Sequence, residues 1–179
     1  MAKGSAARAA LTPRQGEGLF SLNITLEGED TVVRRLRARV DRMRDLTPAW
    51  PQIDEVLRAI VRLQASSEGG RGGAPWQPLA KRTQDERRRL GYGPAHMMLQ
   101  RTGALVRSLT SLTGDTITVH EAQYYAFGSA DPKFKYHQSN QPRARLPRRA
   151  LLQLTHDDKR AVVRPIRVYL REGLSGAQP

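Results

Sequence analysis

An α+β domain is the fold class this sequence predicts, on three observations. Residues 20–26 alternate apolar and polar side chains like a half-buried strand. Residues 33–43 and 53–63 carry apolar side chains at spacings of three and four, as amphipathic helices do. Two short β-type segments, 116–120 and 123–127, follow a turn sequence. The expected architecture is an N-terminal arm and strand, a helical hairpin, and a small antiparallel sheet with further helices packed on it. The 179 residues suit one core. Residues 1–18 read as an extended arm and 19–179 as a single domain with a mobile Gly-rich loop near 66–75.

The arm is rich in Ala, Gly, Arg and Pro and nearly empty of large apolar side chains, so it cannot bury enough surface to order alone, and a partner chain is expected to hold it. In the strand that follows, Phe20, Leu22, Ile24 and Leu26 share one face. Gly28 breaks it, and Glu29 and Asp30 bring negative charge to where a helix N-terminus favours it. Val33, Leu36, Val40 and Met43 then mark a helix expected to run to about Leu46. Its other faces carry Arg34, Arg35, Arg37, Arg39, Arg42 and Arg44, which read either as a solvated, salt-bridged surface or as contacts for DNA or an acidic partner. TPAWP, residues 47–51, interrupts the helix, because a residue before proline avoids the α region and proline suits a first helical turn. Ile53, Val56, Leu57, Ile60 and Leu63 form the stripe of a second helix, expected to pack on the first as an antiparallel hairpin.

SSEGGRGGAP, residues 66–75, has the composition of a mobile loop. It neither follows a strand nor ends in the Lys-Ser/Thr of a phosphate-binding loop, so no nucleotide site is expected there. A short basic helix around residues 81–90, a GYGP turn and a helix from about Thr102, with Thr102 as N-cap, come next. TGDT at 113–116 is the turn before the first β segment. From 157 to 170 the periodicity is mixed around Pro165, leaving helix and strand open; the favoured reading is a helix from Asp157, capped by Asp157-Asp158, that ends or kinks near Pro165.

Thirty Lys and Arg against 17 Asp and Glu give a net charge of +13, which points to a polyanion or an acidic protein surface as partner. The absence of cysteine excludes disulfides and thiolate metal sites. Neither the first residues nor any later stretch has the apolar length of a signal core or of the roughly 20 residues a membrane span needs, so a chain made and kept in solution is expected. His96, His120, His137 and His156 form no ligand pair, and no serine sits in a nucleophile elbow; no metal, cofactor or catalytic residue is expected. With 6% aromatic residues and no nucleic-acid reading module, any DNA contact should be independent of base sequence.

From Gly73 onward five blocks occur in a fixed order: GAPWQPLAKRT (73–83), LQRTGALVRSL (99–109), YYAFG (124–128), YHQ (136–138) and LPRRALLQLTHDD (146–158). Together they resemble the virion morphogenesis, or tail-completion, family of tailed phages and Mu-like prophages. Trp76, Pro78, Leu79, Thr83, Thr102, Gly103, Leu105, Ser108, Tyr125, Ala126, His137, Gln138, Pro147, Arg149 and Leu152 fall on that family's motif positions. Ser139-Asn140 and Gln153 stand where the family tends to have glycine, and residues 1–27 have no counterpart in it.

The resemblance implies a non-enzymatic structural protein of the phage neck. Such a protein completes the tail or joins the head connector to it, as part of a ring on the order of six subunits closed by head-to-tail contacts. The implied location is the head–tail junction of the virion, after synthesis in the bacterial cytoplasm. The implied partners are further copies of the chain, head-closure or connector proteins, tail-tube or tail-terminator proteins and, non-specifically, genomic DNA; no membrane is involved. The alternatives are a basic DNA-binding protein and an assembly factor absent from the finished particle. Trp76, Leu79, His137, Gln138, Arg143, Arg145, Pro147, Arg148 and Arg149 are the expected interface residues. Residues 135–152 read as a docking loop, the alternative being a plain connection with solvated charges, and Trp76 as either an interface anchor or a pin for the Gly-rich loop.

Overall fold

The computed structural model describes residues 29–93, 96–111, 113–139 and 146–175. The arm, the strand at 20–26, Arg143 and Arg145 lie outside them. The described residues form an α+β fold whose elements run α1 (Glu29–Arg44), a 3-10 turn (Thr47–Ala49), α2 (Trp50–Ser66), a second 3-10 turn (Gly70–Gly72), α3 (Lys81–Arg89), α4 (Ala104–Thr110), β1 (Thr116–His120), β2 (Tyr125–Ser129), α5 (Pro132–Gln138) and α6 (His156–Ser175).

Helix α2 is the organising element. It packs against both α4 and α6 and contributes to two hydrophobic clusters. Trp50, Ile53, Leu57 and Ile60 make one, with Tyr125, Phe127, Val162 and Ile166 against them. Val61, Ala65, Trp76, Leu105, Leu109 and Leu151 make the other. The stripe read from the sequence is therefore the buried stripe, except Val56, which is half-buried, and Leu63, which is exposed.

The sheet is a two-stranded antiparallel hairpin with Thr116 opposite Ser129 and His120 opposite Tyr125. Its second strand begins two residues later than the composition predicts, because Glu121 N–H donates to Tyr124 O at 2.9 Å and commits 121–124 to the turn. Trp50 Nε1 donates to Glu121 O at 2.7 Å and Leu46 N–H to Ala122 O at 2.8 Å, so the hairpin tip is tied to the start of α2.

Three further local expectations change. Helix α6 neither ends nor breaks at Pro165 but continues to Ser175. A proline inside a helix costs about 3 kcal/mol, and α6 offsets this through its packing on α1 and α2, with Val162 and Ile166 set against the Trp50 cluster. At α4 the residue in the N-cap position is Gly103, at φ +71°, and Thr102 sits one residue earlier, with Oγ1 accepting from Ala104 N–H at 3.4 Å. Finally, α1 has its extensive packing on α6 rather than folding onto α2 as a hairpin. Its half-buried positions are Thr31, Ala38 and Arg42, while Val33, Leu36, Val40 and Met43 are exposed. Among the described residues no helix is long and apolar enough to cross a membrane.

Candidate functional site

Four of the five motif blocks border one groove, of about 550 Å³, on the side of the molecule built by the loop 75–80, α3, the start of α4, α5 and residues 146–149. Pro78, Leu79, Thr83, Thr102, Leu105, His137, Pro147 and Arg149 all line it. A second hollow, of about 1020 Å³ and including Trp76, Tyr92, His96 and Met98, shares Gln77, Pro78, Leu79 and Arg87 with the first. The 77–79 segment thus borders both.

Many of the groove's polar groups are spent on the chain's own backbone. Arg149 is buried, and its guanidinium donates to Gln77 O at 2.9 Å and to Pro78 O at 3.3 Å, clamping the 146–152 segment to the Trp76 loop. Burial lowers the Arg149 pKa, the nearby charge of Arg87 adding to the effect. Arg87 does similar work across α3, donating to Met97 O at 3.0 Å and to His96 O at 3.3 Å. Gln138 uses both ends of its amide on one residue: Nε2 donates to Leu152 O at 2.6 Å and Oε1 accepts from Leu152 N–H at 3.2 Å. This is the hydrogen-bond pattern a neighbouring strand would supply, and it brings Leu152 in against the core.

His137 is half-buried on the wall of the groove, its carbonyl accepting from Arg149 N–H at 3.2 Å. Its Nδ1 is buried with no hydrogen-bond partner among the described residues. Burial, and next the charge of Arg149, pushes the imidazole below its usual range, so the neutral form is favoured.

Trp76 is inside the core, 7% exposed. The chain reaches it through a turn that suits glycine, since Gly69 sits at φ +89° and a Cβ there would come within 2.6 Å of Trp76 Nε1. The Gly-rich segment is stitched by hydrogen bonds, including Trp76 N–H to Glu68 O at 2.7 Å. Arg71, within it, pairs bidentately with Asp158, Nη1 lying 2.7 Å from Oδ2. Asp158 also closes a capping box at the start of α6: its Oδ2 accepts from Thr155 N–H at 2.8 Å, and its own N–H donates to Thr155 Oγ1 at 3.2 Å. The Arg71 guanidinium, foremost, holds the Asp158 carboxyl down at about 2.

The expected interface residues therefore divide. Trp76 and Arg149 are buried among the chain's own atoms. Leu79, His137, Gln138 and Pro147 are half-buried, and Arg148 is exposed with Nε donating to Gln138 O at 3.3 Å. On α1, Arg34, Arg35, Arg37, Arg39 and Arg44 are exposed, and Arg42 is turned onto α6.

Sequence reasoning missed one buried polar cluster. Asp54, 6% exposed, accepts from Tyr125 Oη at 2.6 Å and lies 3.2 Å from His120 Nε2 and 3.6 Å from an Arg58 nitrogen. Burial, then the Asp54 carboxylate, raises the Tyr125 pKa, keeping the phenol protonated as a donor. The available signal was Asp54 itself, beside Ile53 and one turn before Leu57 on the buried stripe of α2. The cluster locks the hairpin to α2. Among the described residues no group of three His, Cys, Asp or Glu could hold a metal ion.

The profile of the phage virion morphogenesis family matches residues 25–171, so the family pattern begins within the stretch 1–27 for which the motifs offered no counterpart. The chain belongs to the phage virion morphogenesis family. The match includes α1 through α5 and most of α6, so the family pattern is the described fold together with the segments between its parts. No curated protein and no solved structure matches the chain significantly. Membership in this family assigns a structural or assembly role in making phage particles, and the motif geometry explains what its residues do locally. Trp76 and Leu105 share one core cluster, with Leu152 packed against it. Ser108 meets Ser129 at 2.6 Å and so couples α4 to β2. In this family member the motifs mark how the loops are sewn to α2, α4 and α6.

Proposed function

We propose that this virion morphogenesis protein is a structural component of the phage neck, completing the tail or joining the head connector to it as one subunit of a ring. The observation that carries the reading is the family match over residues 25–171, which takes in every motif block. The site supports a binding role: Arg149, Arg87 and Gln138 are committed to backbone groups that fix the groove's shape, leaving Leu79 and Pro147 on its lining, and the exposed Arg148 beside Pro147 in sequence, to meet a neighbour. On this reading the protein sits at the head–tail junction. Its neighbours are further copies of itself, the connector and the tail tube or terminator, and its positive surface faces acidic neighbours or passing DNA.

The test is antibody labelling of intact virions, viewed by electron microscopy beside a mass-spectrometric inventory of the same particles. Label confined to the head–tail junction is the expected result. Absence of the chain from particles that infect normally would sink the proposal and leave an assembly factor. A steep fall of DNA affinity with salt for a chain missing from virions would favour the DNA-binding alternative.

A further inference from the structure

Helix α1 is amphipathic, and its apolar face points outward. Val33, Leu36, Val40 and Met43 are 37%, 56%, 48% and 46% exposed, against 0–7% for the apolar residues of the core. The face set towards α6 carries Thr31, Ala38 and Arg42 instead; Arg42 donates to Tyr169 O at 2.5 Å and lies over the Tyr169 ring. At 3.6 residues per turn the two faces are about 160° apart round the helix. Nothing among the described residues covers the apolar face, and its residues recur at spacings of three, four and three, the pattern that receives a second helix by knobs-into-holes packing.

Charge selects among possible occupants. Arg37 and Arg39 flank the stripe and form no ion pair among the described residues; Arg44, at its end, meets only the exposed Asp41 at 3.5 Å. A second copy of α1 would bring arginine against arginine. The chain's own residues 1–28 hold three basic and two acidic residues, with Glu27 the only acid in 20–27, so they supply little to answer the arginines. Duplex DNA could answer the arginines but has no apolar surface to cover four large side chains between them.

We propose that the outward face of α1 is a docking surface for an amphipathic, acidic helix from another phage protein, seated on Val33, Leu36, Val40 and Met43 with its carboxylates against Arg37 and Arg39. This rests on the α1 surface and does not need the neck assignment.

The experiment places a photo-crosslinking amino acid at Leu36, and separately at Val40, in the full-length chain within cells producing the phage, and identifies the joined peptide by mass spectrometry. Both positions are exposed, and circular dichroism confirms that each variant is folded. The expected product joins α1 to a different phage protein, at a segment with apolar residues at helical spacing flanked by Asp or Glu. Charge reversal in R37E/R39E, with the crosslinker retained, lowers its yield about tenfold, as the loss of two attractive pairs and the gain of two repulsive ones implies. Crosslinks to a second copy, to residues 1–28, to DNA or to a basic or non-helical segment overturn the proposal. So does a yield indifferent to the reversal, or no crosslink from either position.

Discussion

Helix α1 and the motif groove use the same residue types in opposite ways. Around the groove, arginine is structural: Arg149 and Arg87 donate to backbone carbonyls of residues 77–78 and 96–97, and the large apolar residue next to that segment, Trp76, is inside the core. On α1, every arginine but Arg42 is exposed, and the large apolar residues lie between them on the surface. An arginine beside a hydrophobic residue thus has no fixed meaning. What decides is whether the chain itself supplies an acceptor for the one and a cover for the other. Most polar groups around the groove are met by intramolecular contacts, whereas the apolar stripe of α1 has no cover among the described residues.

Five measurements break or sharpen that contrast. The largest effect belongs to Trp76→Ala, which should cost about 3–5 kcal/mol in chemical denaturation, since a buried aromatic cannot be replaced by local collapse. A loss below about 1 kcal/mol would make Trp76 a surface residue after all. Arg149→Ala should cost about 2–3 kcal/mol by leaving the Gln77 and Pro78 carbonyls without their donor, and the same assay reads it.

Asp158 tests the Gly-rich turn through pH. Its folded pKa of about 2 lies below the ordinary 3.8, so its contribution is fully present above pH 3.8 and is lost as the pH falls towards 2. That contribution is about 2 kcal/mol, and Asp158→Asn should remove it and flatten the acid limb of the stability curve. A parallel acid limb in the variant would mean that the Arg71 pair stabilises nothing. His137 gives a smaller effect of the same sign: its pKa is depressed, so stability present above about pH 6.5 declines as the pH drops through that value. His137→Gln should abolish this step between pH 7 and 5, as thermal midpoints across that range would reveal.

The smallest expected effect is on α1. Leu36→Ser and Val40→Ser should change the stability of the isolated chain by no more than about 0.5 kcal/mol while lowering its incorporation into particles. Destabilisation beyond about 1 kcal/mol would erase the contrast, by showing that the chain covers this face itself.

Much of the fold was legible because helix and strand signals are local. Spacings of three and four placed α1 and α2, TPAWP placed the break between them, and TGDT placed the turn before β1. The order of the motif blocks was also enough for the family. The roles of the motif residues were less legible. Arg149 reads as an interface group because an arginine in a Pro-Arg segment looks exposed on paper, and Trp76 beside a Gly-rich loop reads equally as an interface anchor or as a pin for that loop, of which its burial fits the pin. Trp76 is held by Glu68 O across the Gly-rich turn, whereas Arg149 meets the carbonyls of Gln77 and Pro78 only after segments far apart in the chain have folded together.

By itself the sequence determined which residues share a face and where α1, α2 and β1 begin, since both follow from backbone periodicity and turn chemistry within a few residues; β2 starts later than its composition suggests, α4 is capped at Gly103 rather than Thr102, and α5 takes in the first residues of the stretch that reads as a docking loop. Only the tertiary structure decided where each face points. It carried α6 through Pro165 on the strength of its packing, seated Asp54 among Tyr125, His120 and Arg58, closed the motif groove, and turned the apolar stripe of α1 away from the core. The physical reason is that a hydrophobic stripe sets how much a helix gains by being covered, whereas the choice of cover is a competition among all the surfaces the folded chain, or its partner, can offer.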